Sequence, residues 1–518
     1  MPTLLNSTST IQLFAAVCMV LLAACTSVPF DYPKQASYAI PASDDTRAGE
    51  AQQEWLNAHR DTGASGFVGL RSGIDGLGAR LAMLEGAQQS IDAQYFLLKP
   101  DAAGNLFLGK MLRAAERGVR VRLLLDDIFT PRMDTLLTQL DSHENIEVRL
   151  FNPVSRNSLY AWNFLIDFQR INRRMHNKVF IGDGSLAIVG GRNIAAEYFE
   201  LKPQQAFDDF ELLMIGEIVP QLSASFDEFW NSSRSVPVEA FGRKHSDGGM
   251  NRWLDYMDEI VSGERSSPYA DAIGQPLIAD LRSRKRKPLP VPAVLVYDPP
   301  EKMQIPQAST KHRVLIDEMV ERFFNAEKEI LVVSPYFVPS GKAMDWIHEL
   351  RGRGVEITVI TNSLASNNHI AAQSGYAKYR KPLLQAGVSL YEIKLDEIPH
   401  YTDTKEEAES RTLHTKAAVI DRRELYIGSM NFDPRSVVIN TEMGLFLEGE
   451  TASAAFYEGI TQDLTQYTYR LSLDDKGRVT WHDESADPPK SYHTDPDTSL
   501  WRRFKAGFYG ILPIESQL

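Results

Sequence analysis

The chain has 518 residues, 43% hydrophobic and 24% charged, the make-up of a globular protein with roughly two to four domains or one large pseudo-symmetric unit. A formal charge of −13 argues against a nucleic-acid binder, whose binding face is basic. The two cysteines, Cys18 and Cys25, both lie in one N-terminal apolar run, so no disulfide framework or cysteine-based metal site is available to the rest.

From Ile11 to Ala24 the sequence is apolar apart from Gln12. That run is too short to cross a hydrocarbon core of about 30 Å as a helix, and it matches a signal-peptide core. It ends in Leu22-Ala23-Ala24-Cys25, which resembles the lipobox of bacterial lipoproteins, although Met1 to Thr10 carries no Lys or Arg. The expectation is a signal peptide over 1–24 and diacylation of Cys25. The likeness implies export to the periplasmic face, and Thr26 in place of Asp implies the outer membrane. Residues 25–60 are polar, with Pro29, Pro33 and Pro41, and read as a lipid-anchored tether and docking segment.

A first unit, 61–241, opens on Gly73-Ile74-Asp75-Gly76-Leu77. Leu81, Leu84 and Gln88 fall at helical spacing in Ala79–Gln89. Ser90–Leu98 reads as a strand, Gly104–Arg117 as a helix and Val119–Asp126 as a strand. The order recurs in 309–470. Ala326–Phe337 answers Ala87–Phe96, with Tyr95 matched to Tyr336, and Arg353–Ile360 answers Arg117–Leu124. The fold expected is therefore α/β: a duplicated, pseudo-symmetric unit with a largely parallel sheet in each half. Residues 242–308 read as an inter-half linker or insert. There Arg282-Ser283-Arg284-Lys285-Arg286-Lys287 precedes Pro288, Pro290 and Pro292. A solvated linker is favoured; contact with anionic headgroups, about 1 kcal/mol per cation, is the alternative. The extension 471–518 ends in Leu500-Trp501-Arg502-Arg503-Phe504-Lys505, expected to pack on the body, with an interfacial anchor as alternative.

The chemistry is concentrated in two stretches. His176, Lys178 and Asp183 are followed by Gly190-Gly191-Arg192-Asn193; His414, Lys416 and Asp421 are followed by Gly428-Ser429-Met430-Asn431. In both, Asn lies 17 residues after His. Met175–Phe180 and Leu413–Ile420 alternate polar with apolar, so each His and Lys should share one face of a strand. Neutral imidazole is a nucleophile toward phosphorus and a general acid or base. Lys neutralises a phosphoryl oxygen, and the Asn amide donates further bonds. Two such copies around one phosphate suit double displacement on a phosphodiester through a phosphohistidine. No metal and no cofactor are called for, because Lys supplies the positive charge. Asp183 and Asp421, grouped with the catalytic motif, are expected to fix the turn rather than touch phosphate. A further carboxylate must orient each imidazole: Asp209, with Asp208 as alternative, for the first-half His, and Glu442 for the second.

These motifs resemble those of the phospholipase D superfamily over Gly73 to Tyr469. The likeness implies two pseudo-symmetric α/β sandwich halves with the active site between them, His176 as nucleophile, His414 as acid and base, and Lys178, Lys416, Asn193 and Asn431 on the phosphate. Gly190-Gly191-Arg192-Asn193-Ile194, Gly428-Ser429-Met430-Asn431-Phe432-Asp433-Pro434-Arg435-Ser436, Asn440-Thr441-Glu442 and Leu512-Pro513-Ile514 are similar to bacterial cardiolipin synthases. That implies transfer of a phosphatidyl group to phosphatidylglycerol, with phosphatidylethanolamine as a further expected lipid and no nucleic acid. The alternatives are a phospholipase D releasing phosphatidic acid, a nuclease of the superfamily, and a non-catalytic envelope scaffold.

Overall fold

Ser72 opens the first long helix, Gly73–Gly86, by accepting from the Asp75 N–H, and Leu77, Leu81 and Leu84 turn inward from it. The computed structural model describes residues 28–157, 160–202, 206–242, 252–253, 255, 272, 274–283, 285–304, 311–395 and 411–518. Cys25, the signal core and Arg284 lie outside these.

Each half is built to one plan. Strands Ser90–Tyr95, Arg120–Asp126 and Ile146–Phe151 run parallel, and Val179–Gly182, Leu186–Gly190 and Glu211–Ile215 continue the sheet antiparallel. In the second half Glu329–Val333, Glu356–Asn362 and Ser389–Ile393 are parallel, with Ala417–Ile420, Glu424–Gly428 and Met443–Glu448 antiparallel. The α/β duplication expected from sequence is present. The sheets share one buried apolar layer: Val179, Ile181 and Val189 pack in the same cluster as Val333, Val419 and Ile427.

The register corrects one landmark. Ile91 pairs with Gly182 and Ile330 with Ile420, so Tyr95 answers Ser334, not Tyr336. The two tyrosines also bond differently: Tyr95 accepts from Arg80, whereas Tyr336 donates to Asn368.

Three segments outside the halves carry more structure than their composition suggested. Leu289–Val291, inside the presumed linker, pairs with Ser65–Leu70 at one end of the first sheet. After Pro292, Ala293–Tyr297 pairs with Met443–Glu448 at one end of the second. Both are edge strands, where a proline's missing N–H costs no ladder bond. The tether contains a helix, Arg47–Ala58, capped by Thr46 and held by two bonds between the Gln52 amide and the Gly216 backbone. It lacks apolar periodicity because polar bonds dock it. The extension adds Thr468–Leu473, Val479–Asp483 and Lys490–Tyr492 to the second sheet. It then forms the helix Leu500–Ile511, and the Leu518 carbonyl accepts from the Arg435 N–H. Among the described residues no helix is long and apolar enough to cross a membrane.

Candidate active site

Both histidine segments leave their own sheet and lie against the other half. The Met175 backbone bridges Thr441, and the His176 N–H donates to the Thr441 carbonyl at 2.9 Å. Likewise Arg411–Leu413 pairs in parallel with Ala206–Asp208, and the His414 N–H donates to the Asp208 carbonyl at 2.7 Å. The regular strands begin only at Val179 and Ala417, after each lysine. The expected continuous strand is therefore broken at the His, because pairing across the halves replaces the ladder there.

This exchange decides the carboxylates. His176 Nδ1 donates to Glu442 at 2.8 Å, and His414 Nδ1 to Asp209 at 2.6 Å. Each imidazole is thus oriented by the opposite half, not by its own as the sequence reading had it. Thr441 and Asp208, which hold the histidine backbones, are the residues just before Glu442 and Asp209. With Nδ1–H fixed on an acceptor-only carboxylate, Nε2 presents its lone pair. Lys416 Nζ also lies 2.9 Å from His414 Nδ1. A nitrogen whose one hydrogen points at a carboxylate cannot accept from lysine, so that approach is one of charge, not a second hydrogen bond.

Two residues that the sequence reading missed set each His backbone. Asp126 accepts from the Met175 N–H at 2.9 Å, and Asn362 accepts from the Leu413 N–H at 3.0 Å. Each ends a central strand, one residue short of the loop. Their separation of 236 residues equals that of Gly118 and Gly354, which is the signal that would have paired them.

Asp183 and Asp421 stand apart from the reacting groups. Asp183 accepts from the N–H groups of Gln88, Gln89 and Ser90, and Asp421 from those of Glu327, Lys328 and Glu329. Both have positive φ, 50° and 51°, a conformation Asp tolerates. Placing them with the catalytic groups is corrected; they tie the motif strand to the neighbouring strand's start, as the turn-fixing expectation had it. Asn193 accepts from the Leu97 N–H and donates to the Tyr198 hydroxyl. Asn431 Oδ1 is buried without a hydrogen-bond partner among the described residues.

Burial governs the electrostatics. Desolvation lowers His176 to about 4 and His414 to about 3, so both are neutral near pH 7. It lowers Lys178 to about 7 and Lys416 to about 8. For Asp209 burial alone would raise the pKa, but the Lys416 charge and the His414 bond outweigh it and hold it low. For Glu442 the opposing influences are His176 and Lys178. Aromatic walls close the pocket: Phe96 stands 4.9 Å from the His176 ring, and Tyr198 and Phe207 each 5.1 Å from His414.

Comparison with known proteins fits this duplicated arrangement. The family model described as "Cardiolipin synthase, PLD-like domain" matches residues 81–230 and 319–464, one motif in each. The chain is 34% identical over 479 residues to cardiolipin synthase C of Escherichia coli K12, covering 88% of this chain and 96% of that protein. The chain belongs to the cardiolipin-synthase family of phospholipase D-like proteins. Cardiolipin synthase 1 of Bacillus anthracis is a more distant relative, 23% identical over 376 residues, covering 72% of this chain and 61% of that one. Among solved structures, phosphatidylserine synthase of Haemophilus influenzae Rd KW20 shares the fold, with a TM-score of 0.53 at 13% identity over 81% of this chain and 92% of that one. In this cardiolipin-synthase-like chain the corners differ in detail. Ser429 donates to Glu442, whereas a Cβ on its counterpart Gly191 would lie 2.4 Å from both Asp209 oxygens.

Proposed function

We propose that the protein is a phosphatidyltransferase of the cardiolipin synthase type, working by double displacement at the two histidines. With the diester bound, His414 takes up a proton from solvent at Nε2; His176 Nε2 attacks phosphorus, the bond to the leaving alcohol oxygen breaks, and His414 gives that oxygen its proton. The hydroxyl of phosphatidylglycerol then passes its proton to His414 while its oxygen displaces His176 from phosphorus. Cardiolipin leaves, and both imidazoles return to their starting state. The observation that carries this reading is the crossed pair of His–carboxylate contacts, which holds two neutral imidazoles with Nε2 available. His176 takes the nucleophile's part by family likeness.

Charge supports the sequence of steps. Charged lysines 178 and 416 offset carboxylates 209 and 442, so a bound diester leaves the pocket one negative charge in excess. That excess favours a proton on His414 at the moment a leaving group needs one. Phe96, Tyr198 and Phe207 around the imidazoles reduce water at the phosphohistidine, favouring transfer over hydrolysis. Phosphatidylglycerol and phosphatidylethanolamine are the lipids proposed to meet the site. The lipobox supports export and anchoring through Cys25 on the periplasmic face of the outer membrane; Cys25→Ala should then abolish incorporation of labelled fatty acid into the protein.

Incubating purified protein with vesicles of phosphatidylethanolamine and phosphatidylglycerol tests the reaction by product analysis. Cardiolipin is expected. Phosphatidic acid alone would replace the transferase with a hydrolase, and neither product would overturn the reading.

A further inference from the structure

Two surface helices have their polarity reversed. In Leu500–Ile511 the residues turned toward the protein are Arg502, Arg503, Ala506 and Gly510, all only partly exposed. Leu500, Trp501 and Ile511 face outward at 80%, 62% and 84% exposure, with Phe504 and Phe508 beside them. A helix packing on a soluble body buries its apolar stripe and exposes its charges; this one does the opposite. Trp501 and Phe504 stack at 5.4 Å in solvent, with Lys505 over the Trp501 ring. Tyr160–Ile166 repeats the inversion in the first half. Asn163 is its buried residue, donating to the Ser155 carbonyl, while Trp162, Leu165 and Ile166 are exposed.

Each helix is tied to one histidine. The Tyr160 hydroxyl donates to the Ile128 carbonyl; the exposed Phe129 ring then contacts Phe96, and Phe96 contacts His176. On the other side Arg502 donates to the carbonyls of Leu364 and Asn367, and the neighbouring Ser366 carbonyl accepts from Thr412, two residues before His414. The sides also meet, because Asn172 donates to Gln517 at 2.6 Å just beyond the C-terminal helix.

We propose that these two helices form a docking surface for a phospholipid bilayer, one on each flank of the catalytic pocket. Exposed aromatic and aliphatic side chains enter the acyl boundary, and Lys505 meets anionic headgroups. The inference rests on the phosphodiester-transfer reading and adds the route by which a lipid headgroup reaches His176 and His414 without the lipid leaving its membrane. It needs no acyl group on Cys25. A second copy of the chain is disfavoured as occupant, because Lys505 stands over the outward Trp501 ring and would be buried in a dry interface, whereas a bilayer surface meets it with headgroups.

The test compares full-length protein carrying Cys25→Ser with the same protein further changed at Trp501→Ser, Phe504→Ser and Phe508→Ser, or at Trp162→Ser and Leu165→Ser. Each set should lower partition into phosphatidylglycerol–phosphatidylethanolamine vesicles about tenfold. Glycerol release from short-chain, monomeric phosphatidylglycerol should stay within about twofold. Unchanged vesicle partition overturns the proposal. Equal loss on monomeric substrate overturns it in favour of a structural role, as does a parent dimer in light scattering that the changes dissociate. If the protein turns over no phosphodiester at all, the function reading fails while vesicle partition still decides this one.

Discussion

The His176 corner and the His414 corner carry the same reacting groups on different supports. At His176 the orienting acid is the longer Glu442, backed by the Ser429 hydroxyl; at His414 it is the shorter Asp209, brought close because position 191 has no Cβ. Both lysines donate to their own histidine's carbonyl, and Lys416 in addition lies 2.9 Å from the His414 ring nitrogen. Asn193 is engaged by Leu97 and Tyr198, whereas the Asn431 side-chain Oδ1 has no hydrogen-bond partner among the described residues. Duplication preserves what the phosphorus needs, and the surroundings have diverged toward two jobs.

The largest expected effect ignores that divergence. His176→Ala or His414→Ala should each cut transfer by about four orders of magnitude or more with the fold retained by circular dichroism; turnover surviving in either would break the two-histidine scheme. Next come the acids. Glu442→Gln and Asp209→Asn should each cost about 10² to 10⁴ in rate. In denaturant unfolding, His176→Ala should couple to Glu442→Gln by about 1 kcal/mol or more and stay additive with Asp209→Asn. Coupling in the reverse pattern would refute the crossed pairing. Gly191→Ala forces Asp209 off its histidine and should lower kcat/KM about 10²-fold, while leaving vesicle binding intact.

A pH profile addresses the lysines. With Lys178 at about 7 and Lys416 at about 8, raising the pH strips the free pocket of its cations. The value of kcat/KM should therefore fall as pH climbs through 7 to 8; a profile flat to about pH 9 would mean that neutralisation comes from elsewhere. The smallest effect belongs to Ser429→Ala, which removes one bond to Glu442 and should slow transfer by about tenfold or less. A loss equal to that of Glu442→Gln would give the hydroxyl a larger part than support.

The duplication was legible because its signals are local. Two spaced motifs with a repeated strand–helix order survive in one dimension, and Asp209 and Glu442 stand out as acids 33 and 28 residues after their motif histidines. The crossing was not legible. Which half supplies an acid depends on where Thr441 and Asp208 lie in space, and nothing in residue spacing records that. Leu289–Val291 and Ala293–Tyr297 were hidden by the prolines around them, which read as linker yet suit sheet edges. Arg47–Ala58 was hidden because polar bonds, not an apolar stripe, hold it in place. Pairing Tyr95 with Tyr336 failed since identity of residue type was taken for identity of register.

The exchange of acids bears on how the gene can be divided. Cut between the halves, the first fragment would carry His176 with Asp209 and the second His414 with Glu442, and neither histidine would have its own acid. Each piece made singly should be inert. Made together they should regain turnover, provided the stitch at Pro292 is kept on one of them, since its two flanking strands close the edge of both sheets. Activity here is a property of the pairing, and selection on either half acts through the histidine of the other.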